Sequence, residues 1–430
     1  MKLPQSTNIL LLGSGGRESA MATSIVRSSF LGRLYIAPGN AGTALLGTNV
    51  DIDPLDFAML KHFVLTNFIN LVVVGPEEPL VRGIRDFFLT DDQVRHVQVL
   101  GPSQKAAQLE GSKDFAKDFM MRHGVPTARS LTVTAQTMAA GEAFLSELAG
   151  PYVLKADGLA GGKGVLIIDD LDQAKRELKE MIFAKKFGEA STKVVVEEFL
   201  SGIECSVFVV TDGQSYKILP VAKDYKRIGD QDTGLNTGGM GAVSPVPFVD
   251  EEFMRRVVRR VVEPTIKGIK QDELDYKGFV FIGLINCDGD PFVIEYNVRM
   301  GDPESQVVFP RIESDIIDLF DGIVNNTLCS KKLSISVKTA VTVVCTSGGY
   351  PGSFAKGFPI TGLEKVQGSM VFHGGTKLAD GQVLTSGGRV LSVTSLSSSI
   401  RAAAARSYKA IGCINYEKMY FRHDIGKDLL

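Results

Sequence analysis

Short apolar runs alternate with amphipathic stretches over the first quarter of the chain. Asn8 to Leu12, Leu34 to Ala37, Leu71 to Val74 and Val97 to Leu100 have the length of strands, and Pro54 to Asn67 has helical spacing. Strands that alternate with helices form a parallel sheet covered by helices on both faces. The pattern therefore predicts an N-terminal α/β domain with a doubly wound parallel sheet.

Hairpins replace this alternation in the middle of the chain. Tyr152 to Lys155 and Val165 to Ile168 flank a glycine-rich loop, which predicts the hairpin of a small α+β lobe. Glu204 to Val210, and Val280 to Ile285 paired with Phe292 to Val298, predict a larger antiparallel region. The last part of the chain is rich in short strands and glycine turns. We therefore expect a multidomain protein that combines α/β and α+β parts.

The segment from Phe292 to Glu304 begins as a strand and ends in a polar turn. Side chains two residues apart share one face of a strand, so alternation predicts an apolar row and a polar row. The apolar row is Phe292, Ile294, Tyr296 and Val298. The polar row is Glu295, Asn297 and Arg299. A Mg²⁺ ion on ATP phosphates would partner the carboxylate and the amide, and arginine suits a further anion. An amphipathic edge strand facing water remains the alternative.

Composition argues against several classes of function. The formal net charge of −2 gives no general case for nucleic acid or an anionic membrane. No apolar run reaches the roughly 20 residues that span a bilayer, and Met1 to Asn8 lacks the order of a signal peptide. Scattered cysteines and dispersed histidines disfavour metal or redox motifs and suit a reducing cytoplasm. We therefore expect a cytoplasmic protein with no nucleic-acid and no membrane partner.

The motif Gly13-Ser14-Gly15-Gly16-Arg17-Glu18 follows the first strand. Backbone N–H groups at a helix start attract anions, and glycine lets a phosphate approach closely. A dinucleotide fingerprint would need a third glycine at Glu18 and an acid near the end of the second strand, where Ala37 to Asn40 has none. A phosphate ester is therefore favoured over NAD, and a plain tight turn stays open.

Three further segments have the composition of nucleotide or substrate loops. Lys155 with the loop Asp157 to Gly164 could fold over a polyphosphate, although it is not a P-loop and could be a flexible hairpin. Val194 to Leu200 runs from an apolar strand into Glu197 and Glu198, which could bind adenosine or be solvated. Asp232 to Gly241 is long and glycine-rich, which favours a small-ligand pocket or disorder.

Taken together and in this order, these segments resemble the ATP-grasp family, and within it the ligases of purine biosynthesis. The matching segments are Gly13 to Glu18, Pro38 to Thr43, Val74 to Glu77, Leu109 to Lys113, Lys155 to Gly164, Asp232 to Gly241, Glu295 to Glu304, Gly374 to Lys377 and Gly387 to Val390. The resemblance implies four parts: an N-terminal substrate domain over 1–110, a small ATP-grasp lobe over 111–193, a central ATP-grasp lobe over 194–328 and a C-terminal β-rich domain over 329–430.

The resemblance also implies an activity. ATP, glycine and 5-phosphoribosylamine would give glycinamide ribonucleotide, ADP and phosphate through glycyl phosphate, with Mg²⁺ or Mn²⁺ as cofactor and ATP as a substrate. The partners would be these small molecules, and the chain would be a monomer or a weak dimer. Another ATP-grasp ligase or carboxylase acting on a purine-pathway intermediate is the alternative, and a regulatory protein that has lost catalysis is a second. Intact metal ligands and lysines speak against the latter.

Site residues follow from the resemblance by position. The metal would be held by Glu295 and Asn297. ATP would contact Lys113, Lys155, Gly161, Gly162, Lys163, Gly164, Glu197, Glu198, Leu200 and Glu204. The substrates would contact Gly15, Gly16, Arg17, Glu18, Asn40, Gly75, Pro76, Glu77, Asp224, Lys226, Thr237, Gly238, Gly239 and Arg299. Arg299, Asp302 and Lys155 would be the catalytic groups, and Gly158 to Gly164 the lid.

Three positions depart from the family pattern. Ser19 and Tyr225 stand where the family often has histidine, and Leu235 stands where it often has proline. Serine can cap or hydrogen-bond but cannot carry charge. The resemblance therefore assigns no general base.

Overall fold

The computed structural model describes residues 3–159 and 164–430. Its N-terminal region contains the predicted alternation of strands and helices. The strands are β1 (Thr7–Gly13), β2 (Leu31–Pro38), β3 (Thr48–Asn49), β4 (Leu71–Val74) and β5 (Gln98–Leu100). The helices are α1 (Gly16–Ile25), α2 (Phe57–Thr66), α3 (Glu77–Val81) and α4 (Ile84–Thr90).

The five strands form one parallel sheet in the order β3-β2-β1-β4-β5. Both faces of β1 are buried, as the run of apolar residues in a central parallel strand requires. The carboxyl ends of parallel strands lie at one edge, where ligands of open α/β sheets bind. Three of the predicted substrate segments, 13–18, 38–40 and 75–77, therefore meet at that edge.

The small lobe follows the parallel-sheet domain in the chain. Its elements are α5 (Gln108–Gly111), α6 (Lys113–Arg122), β6 (Ser130–Val133), α7 (Met138–Glu147), β7 (Tyr152–Ala156), β8 (Val165–Ile168), α8 (Leu171–Phe183) and β9 (Val194–Glu198). The strands form an antiparallel sheet in the order β6-β9-β7-β8, covered by α7 and α8. Ser112 caps α6, because its hydroxyl accepts a hydrogen bond from Phe115 N at 3.1 Å.

The rest of the chain up to residue 300 adds a second antiparallel sheet. The elements are β10 (Ile203–Thr211), β11 (Tyr216–Ile218), β12 (Lys223–Asp224), β13 (Arg227–Gly229), β14 (Thr233–Asn236), β15 (Gly241–Ser244), α9 (Glu251–Val257), α10 (Glu263–Gln271), β16 (Gly278–Cys287) and β17 (Asp290–Asn297). The sheet order is β11-β10-β16-β17. Val258–Val262 is a π-helical turn that joins α9 to α10, so the helix from Glu251 to Gln271 is continuous but locally widened.

The prediction that Phe292 and Ile294 share a face with Tyr296 is wrong. Glu295 pairs with Gly283 and Val293 pairs with Leu284, so Ile294 is an extra residue in a β-bulge. A bulge shifts the alternation by one position. Val293 therefore joins Tyr296 and Val298 in the core.

The C-terminal region completes the fold with α11 (Ser305–Val308), α12 (Ile316–Val324), β18 (Thr339–Thr346), β19 (Met370–His373), β20 (Thr376–Ala379), β21 (Gln382–Thr385), β22 (Arg389–Ser397) and α13 (Ile400–Ile411). The largest sheet here has the order β12-β15-β18-β22-β19. It therefore joins strands around residues 223–244 to strands more than ninety positions later. Within the described ranges, no helix is long and apolar enough to cross a membrane.

Candidate active site

Four cations from separate elements converge on the carboxylate of Glu295. Lys113 begins α6, Lys155 lies in β7, Lys226 follows β12 and Arg299 follows β17. Desolvation in the cleft acts to raise the pKa of Glu295, but these positive charges, Lys226 foremost, outweigh it and the pKa is lowered. The cleft between the two lobes is thus lined with the charges that a polyphosphate and its metal ion require.

Glu295 and Asn297 lie two residues apart at the end of β17, so both side chains face the cleft. In the described part of the chain, no group of three His, Cys, Asp or Glu side chains could hold an ion. One carboxylate and one amide oxygen would instead supply part of the donor set of a Mg²⁺ ion whose other ligands are water and phosphate oxygens. These residues fit the implied metal.

Glu197 lies between two buried lysines at the inner end of the cleft. Its Oε2 atom is 3.0 Å from Lys155 Nζ and 3.0 Å from Lys117 Nζ. Its Oε1 atom is buried and has no hydrogen-bond partner among the described residues. An unmet buried acceptor costs about 1–3 kcal/mol, so this oxygen suits a donor on a bound ligand, such as the amino group of adenine.

The other residues predicted at the adenosine are placed differently. Glu198 accepts hydrogen bonds from Arg129 N at 2.8 Å and from Arg129 Nε at 2.9 Å. Glu204 Oε2 lies 2.5 Å from Lys226 Nζ, and Leu200 lies in the loop after β9. The Glu198 and Glu204 carboxylates therefore already have cationic partners, unlike Oε1 of Glu197.

The start of α6 is tied to the glycine-rich loop after β7. Lys113 Nζ donates to Gly158 O at 3.2 Å, and burial lowers the pKa of Lys113. Asp157 accepts hydrogen bonds from Ser112 Oγ at 3.0 Å and from Asp114 N at 2.8 Å. The far end of the loop is closed by Ala156 N, which donates to Gly164 O at 2.8 Å. Gly161, Gly162 and Lys163, and with them the tip of the candidate lid, lie outside the described residues.

Arg299 connects the cleft to the N-terminal sheet. Its Nε atom lies 3.1 Å from Glu77 Oε2, and its Nη2 atom lies 2.8 Å from Glu110 Oε1. Val298 N donates to the other oxygen of Glu110 at 2.7 Å. Burial raises the pKa of Glu110 to about 7, although the charge of Arg299 acts to lower it. Two acids from separate elements therefore fix the guanidinium.

The glycine motif after β1 is organised around Glu18. Glu18 Oε2 accepts from Gly15 N at 2.7 Å, and Oε1 lies 2.7 Å from Arg17 Nε. A Cβ atom on Gly75 would lie 2.0 Å from Glu18 Oε1, so Gly75 must be glycine to admit this carboxylate. Arg17 also donates to Met300 O at 3.2 Å. The Arg17 and Glu18 side chains thus hold the loop in shape, and its backbone is left to face the substrate edge.

Asn40 ties this edge to the C-terminal region. Its Nδ2 atom donates to Ser14 O at 2.9 Å and to His373 O at 2.8 Å. His373 N donates to Ser19 Oγ at 3.2 Å, so Ser19 acts as a buried hydrogen-bond acceptor. Burial lowers the pKa of His373 to about 4, so this histidine is neutral at physiological pH. Pro76 precedes α3 and sets the direction in which Glu77 approaches Arg299.

A cavity of about 340 Å³ lies between the N-terminal sheet edge and the C-terminal region. Its walls are formed mostly by backbone and hydroxyl groups of residues 14–16, 38–40, 374–376, 386, 387 and 389–392, together with Asp302. Arg389 Nη1 donates to Gly238 O at 2.6 Å and to Asp302 O at 2.7 Å. Burial acts to raise the pKa of Asp302, but Arg389 and Arg17 outweigh it and the pKa is lowered. Six of the lining residues are glycines, so a phosphorylated sugar could approach the backbone closely beside the Arg389 guanidinium.

Asp224 and Lys226 lie where the cleft approaches this cavity. Burial raises the pKa of Asp224, and the charge of Lys226 acts against this. Burial also raises the pKa of Glu304 to about 8, and the charge of Asp224 adds to the rise. Thr237 Oγ1 donates to Lys226 O at 2.8 Å, and Gly239 N donates to Thr237 Oγ1 at 2.9 Å. Thr237 to Gly239 therefore lie between Lys226 and Arg389.

Four residues that belong to the site were not identified from the sequence. Glu110, Glu304 and Arg389 lie inside the segments that carry the resemblance, so their motifs were the signal for them. Lys117 had no such signal, because one lysine on an amphipathic helix normally faces solvent. Only the packing of α6 against β9 places it beside Glu197.

Two antiparallel lobes around a cation-lined cleft, joined to a parallel-sheet domain, define an ATP-grasp enzyme. The phosphoribosylglycinamide synthetase family models match the N domain over residues 7–110, the ATP-grasp (A) domain over 111–305 and the C domain over 340–428. The chain therefore belongs to the phosphoribosylglycinamide synthetase family.

Individual proteins agree with this assignment. The phosphoribosylamine–glycine ligase of Chlorobaculum tepidum is 44% identical over 98% of this chain and 100% of its own length. The crystal structure of the Thermotoga maritima phosphoribosylamine–glycine ligase is similar with a TM-score of 0.84 and 32% identity, covering 97% of this chain and 100% of that one. A biotin carboxylase from Campylobacter jejuni shares the fold alone, with a TM-score of 0.71 at 14% identity over 96% of this chain and 92% of that one.

Proposed function

We propose that this chain is an ATP-dependent carbon–nitrogen ligase that joins glycine to 5-phosphoribosylamine, giving glycinamide ribonucleotide, ADP and phosphate in purine biosynthesis. The observation that carries the proposal is the convergence of Lys113, Lys155, Lys226 and Arg299 on Glu295, beside a glycine-rich cavity. The carboxylase alternative is not favoured, because the full-length curated relatives are phosphoribosylamine–glycine ligases.

The reaction needs two steps because a carboxylate is a poor acyl donor. The glycine carboxylate first attacks the γ-phosphorus of ATP, which gives glycyl phosphate and ADP. The amine of phosphoribosylamine then attacks the glycyl carbonyl carbon, the C–O bond to phosphate breaks, and the amide and phosphate are formed. Phosphoryl transfer relies on positioning and electrostatic stabilisation, which Lys155, Lys113 and Arg299 supply.

Glu295 and Asn297 are the proposed ligands of Mg²⁺ or Mn²⁺, which when bound would neutralise charge on the ATP phosphates. Glu197 would accept the adenine amino group through Oε1. Glu198, Leu200 and Glu204 would lie beside the adenosine. The candidate lid, Gly158 to Gly164, would close over the phosphates and exclude water, which would otherwise hydrolyse the acyl phosphate.

The remaining assignments concern the acceptor. The backbones of Gly15, Gly16 and Gly75 to Glu77, shaped by Arg17, Glu18 and Asn40, would bind the phosphate and sugar of phosphoribosylamine. Asp224, Lys226 and Thr237 to Gly239 would border the glycyl group. Asp302 would hold Arg389 and the N-terminal loop against the reacting amine, because it contacts Arg17 N at 3.3 Å and Arg389 Nη1 at 3.3 Å.

We also propose the division into domains at 1–110, 111–193, 194–328 and 329–430, a monomer or weak dimer, and a cytoplasmic location. No nucleic acid or membrane takes part in the proposed reaction. All substrates are small molecules.

The test is an ADP-release assay with ATP, Mg²⁺, glycine and freshly generated phosphoribosylamine, with the product identified by mass spectrometry. Omission of glycine or of phosphoribosylamine should each abolish the amide product, and the Lys155→Met variant controls for contaminating activity. ADP release at the same rate without glycine and without phosphoribosylamine would refute the proposal.

A further inference from the structure

Side chains around β12 alternate between the cleft and the C-terminal core. Tyr225 belongs to the core formed with β15, β18, β22 and α13. Asp224 and Lys226, its direct neighbours, belong to the opposite face. There Lys226 pairs with Glu204, and its charge acts on Glu295. Any movement of the Tyr225 ring is therefore transmitted through one residue of backbone to both cleft side chains.

Tyr225 is held by three parts of the segment 422–428. Its hydroxyl donates to the Asp428 carboxylate and accepts a hydrogen bond from Gly426 N at 3.1 Å. Lys223 Nζ lies 3.9 Å from the centre of the ring and 3.0 Å from Asp428 Oδ2. The Arg422 guanidinium carbon also lies 5.2 Å from the ring centre. The ring thus contacts two cations and is anchored at its hydroxyl.

The same segment holds the hairpin that follows Tyr225. Arg422 is 1% exposed, and its Nη1 atom lies 2.6 Å from Asp232 Oδ1. Asp424 accepts from Arg422 Nη2 at 2.8 Å and from Gln231 N at 2.7 Å. A buried arginine paired with two carboxylates from different elements fixes their separation. Residues 422–428 therefore set the position of both the cleft strand and the β13–β14 hairpin.

We propose that Tyr225, held by Asp428, is a positioning residue through which the C-terminal segment fixes Asp224 and Lys226 at the glycyl end of the cleft. The inference rests on the proposed function, since it assigns these two side chains to glycine. Tyr225 does not itself touch a reactant. Its effect is to keep a carboxylate and an ammonium in register with Glu295 on the facing strand.

The test compares two variants that each remove a single buried hydroxyl. Tyr225→Phe keeps the ring beside its two cations and removes the Asp428 contact. Tyr416→Phe is the matched control, because Tyr416 belongs to the same core and its hydroxyl donates to Thr346 O at 3.0 Å, away from the cleft strand. We expect Tyr225→Phe to raise the KM for glycine about tenfold with the KM for ATP within about twofold, the loss expected for one hydrogen bond to a charged group. Tyr416→Phe should change neither KM.

A second variant keeps the test decisive if Tyr225→Phe folds poorly. Asp428→Ala, which removes the acceptor of the Tyr225 hydroxyl, should raise the KM for glycine in the same way, and the Tyr225→Phe/Asp428→Ala double variant should lose no more than the larger single loss. Equal glycine KM values for wild type and Tyr225→Phe, or additive losses in the double variant, would overturn the inference. The proposed function would still stand in that case, because it fails only if the wild-type protein makes no glycine-dependent product.

Discussion

Replacing Arg299 by methionine removes the guanidinium that joins the cleft to the N-terminal sheet. Glu110, whose side chain is 6% exposed, loses the cation that lies 2.8 Å from its carboxylate. Glu77 loses the same partner, which lies 3.1 Å from its own carboxylate. Removing one partner of a buried ion pair costs about 3–5 kcal/mol. Glu110 keeps the hydrogen bond from Val298 N and can take up a proton, so we expect a loss near the lower limit, about 3 kcal/mol.

The pH dependence of this loss identifies its cause. Burial raises the pKa of Glu110 to about 7 even with Arg299 present, and removing that charge raises it further. The unfolded carboxyl titrates near 4.5, so between that pH and the folded pKa the folded state binds more protons and its stability falls as pH rises. The penalty of Arg299→Met should therefore be larger at pH 8 than at pH 6.

Urea unfolding at both pH values, followed by far-UV circular dichroism because the chain contains no tryptophan, measures this penalty. Arg82→Met is the control, since Arg82 pairs with Glu78 at 2.6 Å with both side chains at least half exposed. An exposed pair contributes about 0–1 kcal/mol. The reasoning fails if both variants lose the same stability, or if the Arg299→Met penalty is the same at pH 6 and pH 8.

Three more predictions test the site. Glu295→Gln should lower turnover at least about tenfold, about 1.4 kcal/mol in barrier, and unchanged turnover at saturating Mg²⁺ would remove Glu295 from the metal site. Burial raises the pKa of Glu304 to about 8 from an ordinary 4.5, so wild type should lose stability as pH rises between these values, and urea unfolding of Glu304→Gln should show a shallower slope, with the contribution of Glu110 remaining. Lys117→Met removes one of the two cations that hold the Glu197 carboxylate, and it should raise the KM for ATP about tenfold. Lys61→Met, which breaks the Lys61–Asp91 ion pair outside the cleft, should leave the KM for ATP unchanged. Equal KM values for ATP in wild type and Lys117→Met would contradict this prediction.

The parallel sheet was predictable because four of its five strands are short apolar runs that alternate with helical stretches, whereas the polar two-residue strand β3 had no such signal. Those local signals settle both the element type and the edge at which the glycine motif lies. The face of each residue in β17 was not predictable, because the bulge at Ile294 arises from pairing with Gly283 and Leu284 in a strand ahead of it. The alternation of apolar and polar residues in one strand does not reveal such an extra residue.

The candidate site also contains residues that the sequence indicated and residues that it did not. The acid and amide of Glu295 and Asn297 stood out because polar groups in a strand demand partners. The buried partners of the site, such as Lys117 and Arg389, depend on contacts between distant segments. Arg17 and Glu18 show a further limit, because the sequence suggested direct substrate contacts but gave no signal that their side chains pair with each other.

The sheet shared between residues 223–244 and 339–397 imposes an order on synthesis. On a ribosome, β12 and β15 are made first, and their partner β18 follows only after roughly 100 further residues, on the order of 5–20 s at ordinary elongation rates. Until then the edge of β15 is an unpaired strand of the kind that attracts other chains. The sheet that contains the cleft strand with Asp224 is thus among the last parts of this molecule to be completed.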